Sequence, residues 1–224
     1  LHDRGSGPLC GDLLAGAGAT VVKVESATRP DGARRGPAAF FDLLNWRKRS
    51  VALNLQSDEG IRLLRALVRR ADVIIEASRP RALAQFAIGA RDVVRDGGPQ
   101  VWISITGHGR TGAAANRVAF GDDAAVAGGL VVWAAETPLF CADAVADPVT
   151  GLTAANACLS ALAGGGRWLL DVSMAGVCAG LAGPTLPASP DVTVADPTAR
   201  VAERSAPELG ADTDQVLAEM GLKG

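Results

Sequence analysis

Two hydrophobic rhythms take turns along the first half of the chain. "GPLCGDLLAGAG" puts Leu9, Leu13 and Leu14 on one helical face, and Gly16 and Gly18 suit a helix end and a tight turn. Residues 19–25, "ATVVKVE", then read as a strongly buried strand. "SATRPDGARRG" is a polar loop marked by proline and glycine, and residues 49–55 read as a second strand. "SDEGIRLLRALVRRA" is an amphipathic helix with Ile61, Leu64, Leu67 and Val68 on one stripe. Ser57 stands at its N-cap, with acids in the first turn. A third strand follows at 71–78, short helices near 80–86 and 90–96, and a fourth strand at 100–109 that ends in a glycine-rich turn. Beyond residue 119 the chain reads as helical and rich in small residues, with helices at 121–131 and 148–163. "RWLLDVSMAGVCAGLA" is a strand running into a helix, and "ADTDQVLAEMGL" is a closing helix capped by Asp212 or Thr213.

Strands alternating with helices predict right-handed βαβ units, an α/β fold with a Rossmann-like parallel sheet flanked by helices. The pattern divides the chain into a large domain at 1–182, a Pro-rich connector at 183–206 and a C-terminal helix at 207–224 that packs back on it. "GAGAT" does not make a dinucleotide site. That fingerprint needs glycines after a strand and opening a helix, and here they follow a helix and precede a strand. No NAD is expected.

Composition narrows the partners. A net charge of −2 over 224 residues gives no electrostatic footprint for nucleic acid or an anionic membrane. Cys10, Cys141, Cys158 and Cys178 are widely spaced, without a CxxC pair, and only His2 and His108 could assist a metal. The expectation is no metal, and reduced, buried cysteines in a cytoplasmic protein. No apolar run is long enough to cross a membrane.

Chemistry concentrates at "ADPVTGLTAA". Asp147 before Pro148 is either an N-cap with proline at the first helical position, or a carboxylate that reacts. Basic residues gather on loops: Arg34 and Arg35, Arg47, Lys48 and Arg49, and Arg79. They are either solvated surface or contacts for an anionic group. Asp122 and Asp123 read as helix caps or as site residues, and His108 as a turn residue lining a cleft.

Several segments, in order, resemble the family III CoA-transferases of the CaiB/BaiF type. They are "GPLCGDLLAGAGATVVKVES", "LLNWRKRSVALNL", "ADVIIEASRPRAL", "SITGHGRTG", "ADPVTGLTAA", "LLDVSMAG" and "PELGADTDQVLAEMGL". The resemblance implies the large domain of that fold and transfer of CoA between an acyl-CoA and a small carboxylic acid. Asp147 falls on the position of the nucleophile that forms an aspartyl acyl anhydride. A helix N-terminus beside it would favour its ionised form and supply N–H donors. Arg34, Arg35, Arg47, Lys48, Arg79 and His108 become candidate CoA contacts.

The departures matter as much. Ala77-Ser78 and Arg81 replace the Asn-Phe and Gly that flank the family's arginine. The histidine used by the related α-methylacyl-CoA racemases corresponds to Phe120, which argues against racemase chemistry. The family's first strand is absent or replaced by "LHDRGS", and the connector stands where a whole small domain is expected. Two expectations follow: a transferase that is a homo-oligomer or is completed by a partner chain, or a non-catalytic CoA-binding or partner-subunit paralogue.

Overall fold

The computed structural model of the chain describes residues 5–78, 80–183, 196 and 198–222, with the side chains of Pro80 and Arg81 outside that description. The sequence order of elements is largely the expected one. Helix α1 (Ser6–Gly16) leads to strand β1 (Val22–Ser26), and β2 (Arg49–Leu53) follows. Helix α3 (Asp58–Arg70) leads to β3 (Val73–Glu76), and helices α4 (Pro80–Ala84) and α5 (Ala90–Arg95) lead to β4 (Val101–Thr106). Helices α6 (Gly121–Ala127) and α7 (Ala146–Gly164) precede β7 (Trp168–Ser173), α8 (Met174–Leu181) and the closing α9 (Thr213–Glu219). Ser57 caps α3 as its sequence predicts, accepting the Gly60 N–H at 3.1 Å.

All the strands of the main layer run parallel. They form two hydrogen-bonded sets, β1-β2 and β3-β4-β7. Helices cover both faces. Cys10 and Leu14 of α1, Ala154 and Cys158 of α7, and Cys178 of α8 pack on Val101, Ile103 and Ile105 of β4. Trp102, next to them in sequence, points the other way and packs with Leu64 and Leu67 of α3 and Val216 of α9. Two covered faces explain why β4 is apolar without alternation and wholly buried.

Two features differ from the pattern reading. A 3-10 turn (Gly32–Arg35) and helix α2 (Ala38–Asn45) lie between β1 and β2, where the sequence marked only a loop. The helix expected at 121–131 stops at Ala127, because Gly128 and Gly129 turn the chain, Gly129 with φ of 87°. Beyond them an antiparallel hairpin forms from β5 (Val131–Ala134) and β6 (Thr137–Phe140). Almost every residue of that hairpin is exposed, so neither strand shows an inward-facing alternation for the sequence to reveal. Cys141 at its end is also exposed, whereas Cys10, Cys158 and Cys178 are buried as expected; all four are free thiols.

Most of the Pro-rich connector, 184–195 and 197, lies outside the described residues. The chain after it returns to the sheet. The Asp212 carboxylate accepts the Ser50 N–H at 2.7 Å, the Asp212 N–H donates to the Ser50 carbonyl at 2.9 Å, and the Thr213 hydroxyl accepts the Ala52 N–H at 3.0 Å. These bonds close the outer edge of β2.

Candidate active site

Asp147 is the second residue of α7, not its cap. Val145 holds the cap position and makes no side-chain cap bond, while the Asp147 N–H donates to the Ala144 carbonyl at 2.9 Å. The carboxylate instead faces Gly5, the residue that opens α1. A Cβ placed on Gly5 would sit 2.5 Å from Asp147 Cβ, 2.6 Å from its Cγ and 2.9 Å from its Oδ2, so only glycine fits there. The positive end of the α1 dipole therefore lies against this carboxylate.

The topology explains the location. Helix α7 returns to β7 and α1 to β1, so both helices begin at the edge where the parallel strands end. Open α/β sheets bind ligands at that edge. The two helices pack closely because Gly151 is one turn after Asp147. A Cβ there would lie 2.8 Å from the Ser6 carbonyl oxygen and 3.0 Å from Leu9 Cβ. Thr150 beside it is fully buried, and its hydroxyl has no hydrogen-bond partner among the described residues.

The entry to α7 is braced by α6. Asp122 Oδ1 accepts the Ala144 N–H at 2.7 Å, and Ala144 is held at φ of 46°. Gly121 packs against the same residue, with no room for a Cβ beside the Ala144 carbonyl. Asp123 accepts the Phe120 N–H at 3.2 Å, so it does serve α6 as a cap. Asp122 reaches instead to the loop that sets Asp147.

A second polar cluster sits at the ends of β3, β4 and β7. Glu76 is buried and accepts from Trp102 Nε1 at 3.0 Å, Ser78 Oγ at 3.1 Å and Arg110 Nη1 at 3.4 Å. Arg110 also donates to Ser104 Oγ at 2.5 Å, and its N–H to Asp171 Oδ2 at 2.9 Å. Burial pushes the Glu76 carboxyl up, and the bonds from Trp102 and Arg110 only partly oppose it. Sequence reasoning passed over this cluster. Its signal was the polar residues Glu76, Ser104 and Thr106 inside otherwise apolar strands.

Among the described residues the basic candidates do not converge. Arg34 is committed to Glu25, with Nη2 to Oε2 at 2.7 Å, and also donates to Pro207 O at 3.1 Å. Its guanidinium lies 4.7 Å from the centre of the Phe41 ring. Lys48 is buried and bonds Pro8 O at 2.8 Å and Asn45 Oδ1 at 3.0 Å, tying α1 to α2. Arg47 is exposed, stacks 4.4 Å over Trp46 and lies against Gly16. That is the far end of α1 from Asp147. Arg35 is exposed, and His108 is half-buried in the turn after β4. Arg79 lies outside the described residues. Among the described residues no cluster of three or more His, Cys, Asp or Glu could hold a metal ion. No described helix is long and apolar enough to cross a membrane.

The succinyl-CoA–L-malate CoA-transferase beta subunit of Chloroflexus aurantiacus is 38% identical over 131 residues, 55% of this chain and 32% of that protein. The succinate–glutarate CoA-transferase of Agrobacterium fabrum is 32% identical over 173 residues, 70% of this chain and 43% of that protein. The crystal structure of a CaiB/BaiF family protein from Brucella suis superposes with a TM-score of 0.72 at 30% identity, covering 81% of this chain and 52% of that one. The matched stretch thus covers less than half the length of these two curated relatives and about half of the solved structure. The family model described as CoA-transferase family III matches residues 2–211. By that match, and by the α/β architecture it shares with the Brucella protein, the chain belongs to CoA-transferase family III.

Proposed function

We propose that the chain carries the large-domain half of an acyl-CoA:carboxylate CoA-transferase, with Asp147 as covalent nucleophile. One observation carries the assignment. The Asp147 carboxylate stands in the first turn of α7 and is set against Gly5 at the start of α1, at the edge where the strands end.

The chemistry follows from a carboxylate held there. Asp147 attacks the thioester carbon, the C–S bond breaks, and CoA leaves as thiolate with an aspartyl acyl anhydride behind it. The thiolate attacks the aspartyl carbonyl, releasing the donor acid and leaving an aspartyl thioester. The acceptor carboxylate attacks that thioester, forming a second anhydride and freeing CoA again. The thiolate then takes the acceptor's acyl group and restores the Asp147 carboxylate. No net proton moves, and no ATP is consumed. N–H groups at a helix start are suited to the oxyanion of each step.

Exposed Arg35 and Arg47, with Arg79, are the basic residues proposed to meet CoA phosphates. Arg34 and Lys48, committed within the fold, are proposed to shape that surface from beneath. His108 lines the turn beside the cleft. Because the chain covers part of the length of its relatives, an oligomer or partner is proposed to enclose the anhydride against water.

Replacing Asp147 by Asn tests the assignment. CoA titrated calorimetrically should bind both forms alike, while transfer between succinyl-CoA and a free acid should be lost only in the variant. Equal transfer in both forms would refute the role.

A further inference from the structure

A cavity of about 350 Å³ opens between α5 and β7, lined by Arg91, Val94 and Arg95 of α5 and by Arg167 and Leu169. Arg167 immediately precedes β7, and its Nη1 bonds the carbonyls of Gly98 and Pro99 in the turn before β4. The cavity therefore lies toward the end of the sheet where β4 and β7 begin, whereas Asp147 lies where the strands end. The six residues of β4 set those two ends roughly 20 Å apart.

Three guanidinium groups from two elements meet at this cavity, and no acid is among its lining residues. Arg91 and Arg95 stand four apart on α5, on one side of the helix, where like charges repel. Arg95 is offset by Asp92 at 3.1 Å and Asp96 at 2.9 Å, both exposed and outside the lining. Arg91 and Arg167 have no ion pair among the described residues. The two carbonyls hold Arg167 in place and leave its Nε and Nη2 without a bond among those residues.

Two uncompensated cations suit an anion of more than one charge, and the arginine fork matches the oxygens of a phosphate. The floor between them is apolar. Val94 is buried and Leu169 half-buried, and both belong to the core that holds Trp102. The volume falls in the range of small-molecule sites, more than a phosphate group alone would fill. We propose that this cavity binds a nucleoside diphosphate, its phosphates held by Arg91 and Arg167 and its base lying on Val94 and Leu169. The site is separate from the CoA contacts proposed above and depends on neither Asp147 nor the transfer reaction.

The test is calorimetric titration of ADP, and of inorganic pyrophosphate, into the chain and into Arg91→Gln and Arg35→Gln. ADP should bind the chain saturably and bind Arg91→Gln at least roughly tenfold more weakly. Arg35→Gln, altered on the surface proposed for CoA, should bind ADP as the parent does. Arg91 is exposed and makes no bond among the described residues, so the Tm of Arg91→Gln should stay within about 2 °C of the parent. Pyrophosphate should also depend on Arg91 but bind roughly tenfold more weakly than ADP, because it buries no base. Three results overturn the proposal. One is no saturable binding of ADP. Another is weakening by Arg35→Gln as great as by Arg91→Gln, which would place the ADP on the other surface. The third is pyrophosphate binding as tightly as ADP, which would leave Val94 and Leu169 without a base to carry.

Discussion

Asp122 Oδ1 accepts the backbone N–H of Ala144 at 2.7 Å, and the carbonyl of Ala144 accepts the N–H of Asp147 at 2.9 Å. An acid on one helix thus holds the loop that delivers another acid to the start of the next. Replacing Asp122 by Ala leaves the Ala144 N–H without its partner, at a cost of about 1–3 kcal/mol. Urea unfolding should show that loss, and Asp122→Asn, which keeps an acceptor, should recover most of it.

Gly151 and Gly164 lie on the same helix and should respond in opposite directions to alanine. At Gly151 the new methyl meets the Ser6 carbonyl at 2.8 Å, so Gly151→Ala should destabilise by about 1–3 kcal/mol. Nothing lies within 4 Å of a Cβ at Gly164, and its φ is not left-handed, so Gly164→Ala should stabilise by roughly 0.5–1 kcal/mol. Thermal unfolding of the two variants measures both signs.

Glu76 should make stability depend on pH. Its folded carboxyl is raised by burial, so the native state binds a proton more readily than the unfolded chain. Stability should fall as pH rises from the ordinary glutamate value through the raised folded one, and level off above it. In Glu76→Gln that fall should vanish. A profile unchanged by the substitution would show that Glu76 is not its source.

Thiol chemistry should report the fold directly. Cys141 is exposed, while Cys158 and Cys178 are buried, with thiols pushed up by burial, and Cys10 is fully covered. One equivalent of a thiol reagent should label the native protein quickly at Cys141, and the rest should react only on unfolding.

Much of the main layer was legible because two covered faces write continuous apolar runs, as at "VWISIT", and because Ser57 and its following acids mark a helix start without tertiary help. The β5–β6 hairpin was not legible, since exposed strands have no buried side to impose a period. Asp147 was legible as a position, but its setting was not: it lies against Gly5, some 140 residues away in the chain. The bond from Arg110 to Glu76 spans 34 residues, and local pattern marks Glu76 as a polar residue in an apolar strand without showing its partner. The basic residues could not be sorted from sequence for a related reason: charge in a loop looks the same whether it meets solvent, as Arg35 does, or an internal acid, as Arg34 does.

The central claim is that Asp147 becomes acylated. The direct measurement is to incubate the chain with succinyl-CoA, quench with hydroxylamine, and map the peptide spanning Ala146–Gly164 by mass spectrometry. The account predicts a hydroxamate on Asp147 that is absent from Asp147→Asn and from samples lacking the thioester. Steady transfer of CoA with Asp147 unmodified would contradict it.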